Sequence, residues 1–191
     1  QPELWEPTTG AIRLLKKYER NANATVIPLE LEPLESIFVV FAKEVSSSSL
    51  VNDTDTNYPE PQTIATLAGP WTVSFDKSQK GPQAPVVFQS LYDWSTSKED
   101  AIRYYSGTAV YRTEFTLKDI VPNSPLFINL NEVAVMAKVK VNGQYIGGVW
   151  TPPYRLNISE AIKQGTNKVE IEVVNTWVNR LIGDSKLPVE E

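Results

Sequence analysis

The chain has 191 residues, 41% hydrophobic and 21% charged, enough for one well-filled core or one core with a small appendage. Its net charge of −5 comes from scattered acidic and basic residues with no basic patch, which argues against nucleic acid as a partner. It has no cysteine and no histidine, which excludes disulfides, thiolate metal sites, Ser-His and Cys-His nucleophile pairs, the usual zinc ligands and the usual general base.

No apolar run is long enough to span a bilayer. The chain starts at Gln1 rather than methionine, which reads as a processed or cut polypeptide. Its first part, residues 1–45, reads as a β-meander with strands over 11–15, 25–31 and 36–42. In the last of these Ile37, Phe38, Val39, Val40 and Phe41 are consecutive, so both faces want cover. Three strands alone are marginal in water, so this piece must lean on the main module, another chain or an upstream domain. Residues 46–62 open with Ser46 to Ser49, continue through Asn52, Asp53, Asp55 and Asn57 to Pro59 and Pro61, and read as a linker.

Residues 63–191 carry period-two patterns. Trp71, Val73 and Phe75 alternate with polar residues. Ser97-Lys98-Glu99-Asp100 resembles a capping box opening a short helix near 98–104. Ala109, Tyr111, Thr113, Phe115 and Leu117 then alternate against Val110, Arg112, Glu114 and Thr116, and Leu126, Ile128 and Leu130 follow. Ala137, Val139 and Val141 alternate with Lys138 and Lys140, a half-buried strand. Asn142-Gly143 suits a tight hairpin turn, with 145–150 returning as the partner strand. Ser159 can cap a short helix over 160–164 that stops at Gly165. Val169, Ile171 and Val173 alternate with Lys168, Glu170 and Glu172. Many short strands with Pro, Gly and Asn turns predict an all-β sandwich.

A glycosidase needs two carboxylates facing each other across the scissile bond. Glu170 and Glu172 share a strand face and read as solvated. Asp93, Glu99 and Asp100 lie in a loop beside Trp94, and Asp184 follows the last strand. None of these forms a recognisable pair, so no catalytic residue is assigned. Sugar rings stack on Trp and Tyr while polar groups fix their orientation. Trp150 and Tyr154 flank Pro152-Pro153 at a sandwich end, with Arg155, Asn179, Arg180 and Asp184 able to add polar contacts. The same six residues could instead pack against a neighbouring domain. Asp53-Thr54-Asp55-Thr56-Asn57 begins like a calcium loop, but Tyr58 stands where glycine is needed and Ile64 where glutamate is, so no metal site is assigned.

Four stretches carry a resemblance. They are Gly69-Pro70-Trp71-Thr72-Val73-Ser74-Phe75-Asp76, the strand from Arg103-Tyr104-Tyr105-Ser106-Gly107-Thr108 to Arg112, the hairpin from Lys138 to Arg155, and the closing strand from Val173 to Asp184. Together they resemble the sugar-binding domain of family 2-type glycoside hydrolases, a galactose-binding-like jelly roll. The ending Asn179-Arg180-Leu181-Ile182-Gly183-Asp184 is similar to large bacterial glycosidases of the family 106 α-L-rhamnosidase type. Residues 1–45 resemble the tail of a preceding β-module through Leu4 to Gly10 and Ser36 to Phe41. In those enzymes catalysis belongs to an upstream barrel, which nothing in this chain resembles. The resemblance therefore implies a non-catalytic accessory module of an exported bacterial enzyme, secreted or periplasmic. Its partner would be the upstream catalytic domain of the same polypeptide, with a plant or microbial glycan as a second candidate. No cofactor is implied. Jelly-roll sugar modules often hold a structural Ca²⁺, for which no ligand set can be read here. A free-standing carbohydrate-binding protein and a small glycosidase remain the alternatives.

Overall fold

The computed structural model describes residues 1–41, 56–120 and 124–188. Two units divide the chain, Gln1–Thr63 and Ile64–Glu191. In the first, β1 (Glu3–Trp5) pairs with β2 (Ile12–Leu14) after a turn closed by Gly10 at φ +72°. Strands β3 (Glu19–Arg20) and β4 (Thr25–Val26) form a separate hairpin, and β5 (Phe38–Val40) adds antiparallel to the other side of β1. The expected strand over 25–31 stops after two residues. Pro28 lies inside it and lacks an N–H for a ladder.

Leu4 and Leu15 are the large apolar side chains buried in this unit. Polar contacts supply what so small a core cannot. Asn57 is 4% exposed, accepts from the Lys17 N–H at 2.9 Å and donates to the carbonyls of Lys17 and Pro28. Arg13 donates to the Asn57 carbonyl and lies over the Tyr58 ring. The linker expected over 46–62 is thus corrected at Asn57 and Tyr58, which are structural members of the N-terminal unit. Its residues 46–55 lie outside the described residues. Phe38 stays 61% exposed, so the described residues of its own unit leave that side of its strand uncovered.

In the second unit, β6 (Trp71–Phe75) pairs with β7 (Val86–Phe88). A 3₁₀ turn at Trp94–Thr96 and the helix α1 (Asp100–Arg103) lead into the ten-residue β8 (Thr108–Leu117). Then follow β9 (Phe127–Asn129), β10 (Met136–Val141), β11 (Gln144–Val149), β12 (Arg155–Asn157), β13 (Gly165–Val174) and the helix α2 (Val178–Asp184). Six strands form one antiparallel sheet in the order β11-β10-β13-β8-β6-β7. Strands β9 and β12 pair separately, and their Ile128 and Leu156 join the same core as Val73, Val139 and Val169. The result is the all-β sandwich that the alternation predicts, with unequal layers, as the resemblance to a galactose-binding-like jelly roll implies.

The alternation read from sequence sets the faces. Ala109, Tyr111, Val139, Val141, Val169 and Ile171 point inward, as do Trp71, Val73 and Phe75. Asn142 and Gly143 take φ of +52° and +84°, as the expected hairpin turn requires. Three local expectations are corrected. The capping box near 98–104 yields only Asp100–Arg103, with Glu99 at the N-cap; Ser97 Oγ accepts from the Glu99 N–H instead. No helix forms over 160–164: Ser159 Oγ is used by Asn157 and by the Leu126 N–H, leaving a turn. The closing strand ends at Val174 instead of running to Asp184. The Asn175 side chain there accepts from the Gly107 N–H and donates to the Tyr105 carbonyl, which replaces the ladder and lets the chain turn into α2.

The core is aromatic at one end. Phe75 meets Trp94 at 5.3 Å and Tyr105 at 4.9 Å, both edge-on, while Trp94 stacks on Tyr111 with its indole N–H donating to the Tyr111 hydroxyl. Tyr105 is equally fixed, donating to the Thr108 carbonyl and accepting from the Asp76 N–H. Burial pushes the Tyr111 phenol up to about 12, against the smaller opposing effect of the Trp94 hydrogen bond. The folded state thus favours neutral Tyr111. The stability this contributes is fully present below the ordinary tyrosine value near 10 and is lost as pH rises from there toward 12. In an alkaline titration, phenolate absorbance should show a late step that coincides with loss of the far-UV signal. Tyr111→Phe should shrink that step, and an unchanged step would place the late ionisation elsewhere.

The outer face of the six-stranded sheet is charged. Arg112 on β8 and Lys140 on β10 both meet Glu170 on β13, at 2.7 and 2.9 Å, and Lys140 also reaches Glu172. Glu114 pairs with Lys168 one row further along.

Candidate binding end of the sandwich

Strand register brings several exposed side chains to one end of the sheet. Ala137 faces Val149, Met136 faces Val174, and Val174 faces Thr108. Trp150, just past β11, and Trp177, just past β13, therefore leave the sheet at the same end, as does Met136 at the start of β10. Trp150 is 61% exposed and Trp177 66%. Val178, Leu181 and Ile182 on α2 are exposed as well, recurring with Trp177 at helical spacing on one face. The inner side of α2 is held close. Gly183 packs on the Tyr104 side chain, where an added Cβ would lie 2.7 Å from Tyr104 Cβ. The Arg180 N–H donates to Ser106 Oγ.

The six candidate residues do not converge as one site. Trp150 is free at the sheet end. Tyr154 is half-buried against the core, its carbonyl accepting from the Leu130 N–H. Arg155 opens β12 and lies over the Phe127 ring at 5.2 Å. On α2, Arg180 and Asp184 neutralise each other at 2.6 Å. Asp184 is thus a partner of Arg180 and faces no second carboxylate across a gap. Asn179 lines a concave surface.

That surface is a cavity of about 420 Å³ lined by Ser95, Thr96, Arg103, Tyr104, Asn179, Ile182 and Lys186. Lys186 Nζ donates to the Tyr104 hydroxyl at 2.7 Å and also lies over that ring, as does the Arg103 guanidinium. The hydrogen bonds from Lys186 and then Arg103 hold the Tyr104 phenol below its ordinary range. The sequence pattern puts Arg103 and Tyr104 at the end of the short helix near 98–104, the resemblance puts them in the strand that follows, and neither singles out Lys186. The lysine meets the tyrosine from 82 residues away, through the turn of α2, and nothing local signals that.

A wider depression of about 620 Å³ lies on the charged face, lined by Thr72, Arg112, Lys140, Lys168 and Glu170 among others. Both of its carboxylates are already paired, Glu170 with Lys140 and Arg112, and Glu114 with Lys168 at 3.3 Å. The Lys140 hydrogen bond, followed by that of Arg112, holds Glu170 below the usual carboxylate range in spite of partial burial. A glycosidase acid needs the opposite shift. In the loop beside Trp94, the Asp93 carboxylate accepts from the Ser95 N–H and Asp100 pairs with Arg103. Among the described residues no three acidic side chains gather into a group that could hold a metal ion. Asp53 and Asp55 lie outside the described residues. No helix among the described residues is long and apolar enough to cross a membrane.

Comparison with known proteins agrees with this geometry. The family described as "Glycosyl hydrolase 2 galactose-binding domain-like" matches residues 89–188. A Formosa agariphila protein named "Putative beta-glucuronidase" is 42% identical over 132 residues, which is 68% of this chain but 11% of that protein. Among solved structures, a rhamnosidase from Novosphingobium sp. PP1Y superposes on 100% of this chain with a TM-score of 0.87 at 36% identity, over 18% of its own length. A β-glucuronidase from Ruminococcus gnavus superposes on 62% of the chain with a TM-score of 0.51 at 25% identity, over 23% of its own length. The chain therefore spans between a tenth and a quarter of these relatives. With the family matched across the sandwich from the loop after β7 to the end of α2, this chain belongs to the galactose-binding domain-like family of glycosyl hydrolase 2.

Proposed function

We propose that the chain is a non-catalytic accessory module of a larger bacterial glycoside hydrolase, exported from the cell, and that its sandwich packs on the catalytic domain of the same polypeptide. The observation that carries this is the exposed apolar end formed by Trp150, Met136, Trp177 and Leu181. Soluble domains seldom leave so many large apolar side chains together in water without a partner. The small share of each relative that this chain spans supports the same reading, as do the names of those relatives, a rhamnosidase and β-glucuronidases. Aromatics of this kind also suit stacking on sugar rings, so a glycan contact at Trp150 is the second reading.

Two measurements test the proposal. The chain alone should give no turnover above a heat-killed control on aryl α-L-rhamnosides, β-glucuronides and related glycosides. Turnover abolished by one Asp or Glu substitution would establish the small-glycosidase alternative instead. Trp150→Ser and Trp177→Ser should change the stability of the isolated chain by no more than about 0.5 kcal/mol, as exposed positions do. In the polypeptide that carries the catalytic domain they should lower the temperature at which the module separates and melts. Equal response in both contexts would show that this end contacts nothing.

A further inference from the structure

The cavity between α1 and α2 holds chemistry that packing on a catalytic domain does not use. Its lining has two cations, Arg103 and Lys186, a phenol, an amide, two hydroxyls and one apolar side chain, Ile182, and no carboxylate. The acidic groups nearest in sequence are spent elsewhere or shared. Asp184 is closed on Arg180, and Asp100, three-quarters exposed, meets Arg103 at 3.5 Å. Both cations retain donors. Lys186 Nζ uses one on Tyr104, and Arg103 uses Nε on the Ser97 carbonyl, one terminal nitrogen toward Asp100 and a further donor toward the Tyr104 hydroxyl, out of five. The Asn179 side-chain amide has no hydrogen-bond partner among the described residues. The cavity is a depression open to solvent, with about 420 Å³ of room. Its walls are fixed: Gly183 seats α2 on Tyr104, and the Arg103 side chain is anchored by the Ser97 carbonyl at 2.6 Å.

We propose that this cavity is a binding site for an anionic sugar, a ring bearing a carboxylate. The carboxylate takes charge-assisted hydrogen bonds from Lys186 and from the remaining guanidinium N–H groups of Arg103. The ring hydroxyls meet Asn179, Ser95 and Thr96, and the exposed side of Ile182 offers an apolar contact to the ring C–H groups. A neutral sugar finds the same hydroxyl partners but leaves Lys186 without a counter-charge and Arg103 with only the exposed Asp100 at 3.5 Å. A bare carboxylate finds the cations but not the rest. The site deepens the glycan reading of this module and rests on the module meeting carbohydrate, though not on any catalytic partner.

The test is an amide NMR titration of the whole chain with methyl β-D-glucuronide, methyl β-D-glucoside and sodium acetate. The glucuronide should shift residues 95–96, 103–104 and 179–186, bind at least about tenfold more tightly than either comparator, and weaken with added salt. Lys186 is exposed, so Lys186→Ala should leave the melting temperature unchanged while reducing glucuronide affinity by about tenfold, and Lys186→Arg should retain it. Tyr104→Phe should weaken binding less than Lys186→Ala. The proposal fails if glucuronide and glucoside bind alike, or if acetate matches the glucuronide, which would make this a simple anion site. It also fails if the shifts fall elsewhere, or if Lys186→Ala binds like wild type. Each of these results is independent of the glycosidase assay and of the Trp150 and Trp177 variants, so the accessory-module reading can stand while this site falls.

Discussion

Trp94→Ala is expected to destabilise the sandwich by about 3–5 kcal/mol, the range for deleting a buried aromatic side chain. Trp94 is 7% exposed, in a 3₁₀ turn outside the strands, yet it is the keystone of the aromatic end of the core. It meets Phe75 and Tyr105 edge-on and stacks on Tyr111 at 6.5 Å. Truncation leaves a void beside three rings and removes the donor to the Tyr111 hydroxyl, so a transfer loss and an orphaned polar group act together. Trp94→Phe restores part of the volume but not the N–H, and should fall between wild type and alanine. Urea unfolding followed by circular dichroism would measure this. A loss below about 1 kcal/mol, the size of an ordinary mutation, would mean that the 3₁₀ segment is a detachable flap.

The second large effect is expected at Asn167. It is fully buried, and its side chain makes four hydrogen bonds. Nδ2 donates to the carbonyls of Lys163 and Gly165, and Oδ1 accepts from the Lys163 N–H and from the Asn142 amide. Through Asn142, which also donates to the Ala161 carbonyl and accepts from the Lys168 N–H, one side chain joins the β10–β11 turn to the loop before β13. Asn167→Leu matches the size but strands these partners, and should cost about 2–5 kcal/mol given about 1–3 kcal/mol per buried orphan. Asn167→Asp keeps the acceptor and loses the donor, placing a carboxylate against two carbonyls, and should be no better. If both variants unfold within about 0.5 kcal/mol of wild type, the network is ornamental.

These two residues show what the sequence makes legible. Asn167 is in phase with Val169 and Ile171, so its inward direction follows from alternation alone. That a polar side chain there is satisfied by a turn brought in from residues 142 and 163 is a tertiary fact with no local trace. Trp71 declared itself as core through Val73 and Phe75, whereas Trp94 sits among Ser, Thr and Asp with no period to betray it. The end of a strand leaves the faintest trace in the sequence. Val173 and Val174 continue smoothly toward Trp177, and only the two hydrogen bonds of the Asn175 side chain, from the Gly107 N–H and to the Tyr105 carbonyl, end the ladder and let the helix begin. The candidate site suffered from the same limit. Trp150 was found by composition and position, and Asn179 by motif, but Lys186, Tyr104 and Arg103 become a cavity only when α2 folds back.

The charged outer face bears on how the strands find one another. Alternation of apolar and polar residues rejects a slip of one residue, because every side chain would change faces, but it cannot see a slip of two. The charges can. In the native register Glu170 stands opposite Arg112 and Lys140, and Lys168 opposite Glu114. Sliding β13 by two residues one way sets Lys168 against both Arg112 and Lys140. Sliding it two the other way sets Glu170 against Glu114. Like charges directly across a strand pair are unfavourable, so a two-residue misalignment of β13 on β8 carries a repulsion in either direction. Exposed ion pairs of this kind add little to the depth of the native well. Their larger effect is to raise the neighbouring wells, so that a chain already holding its apolar side inward still has one alignment to settle in.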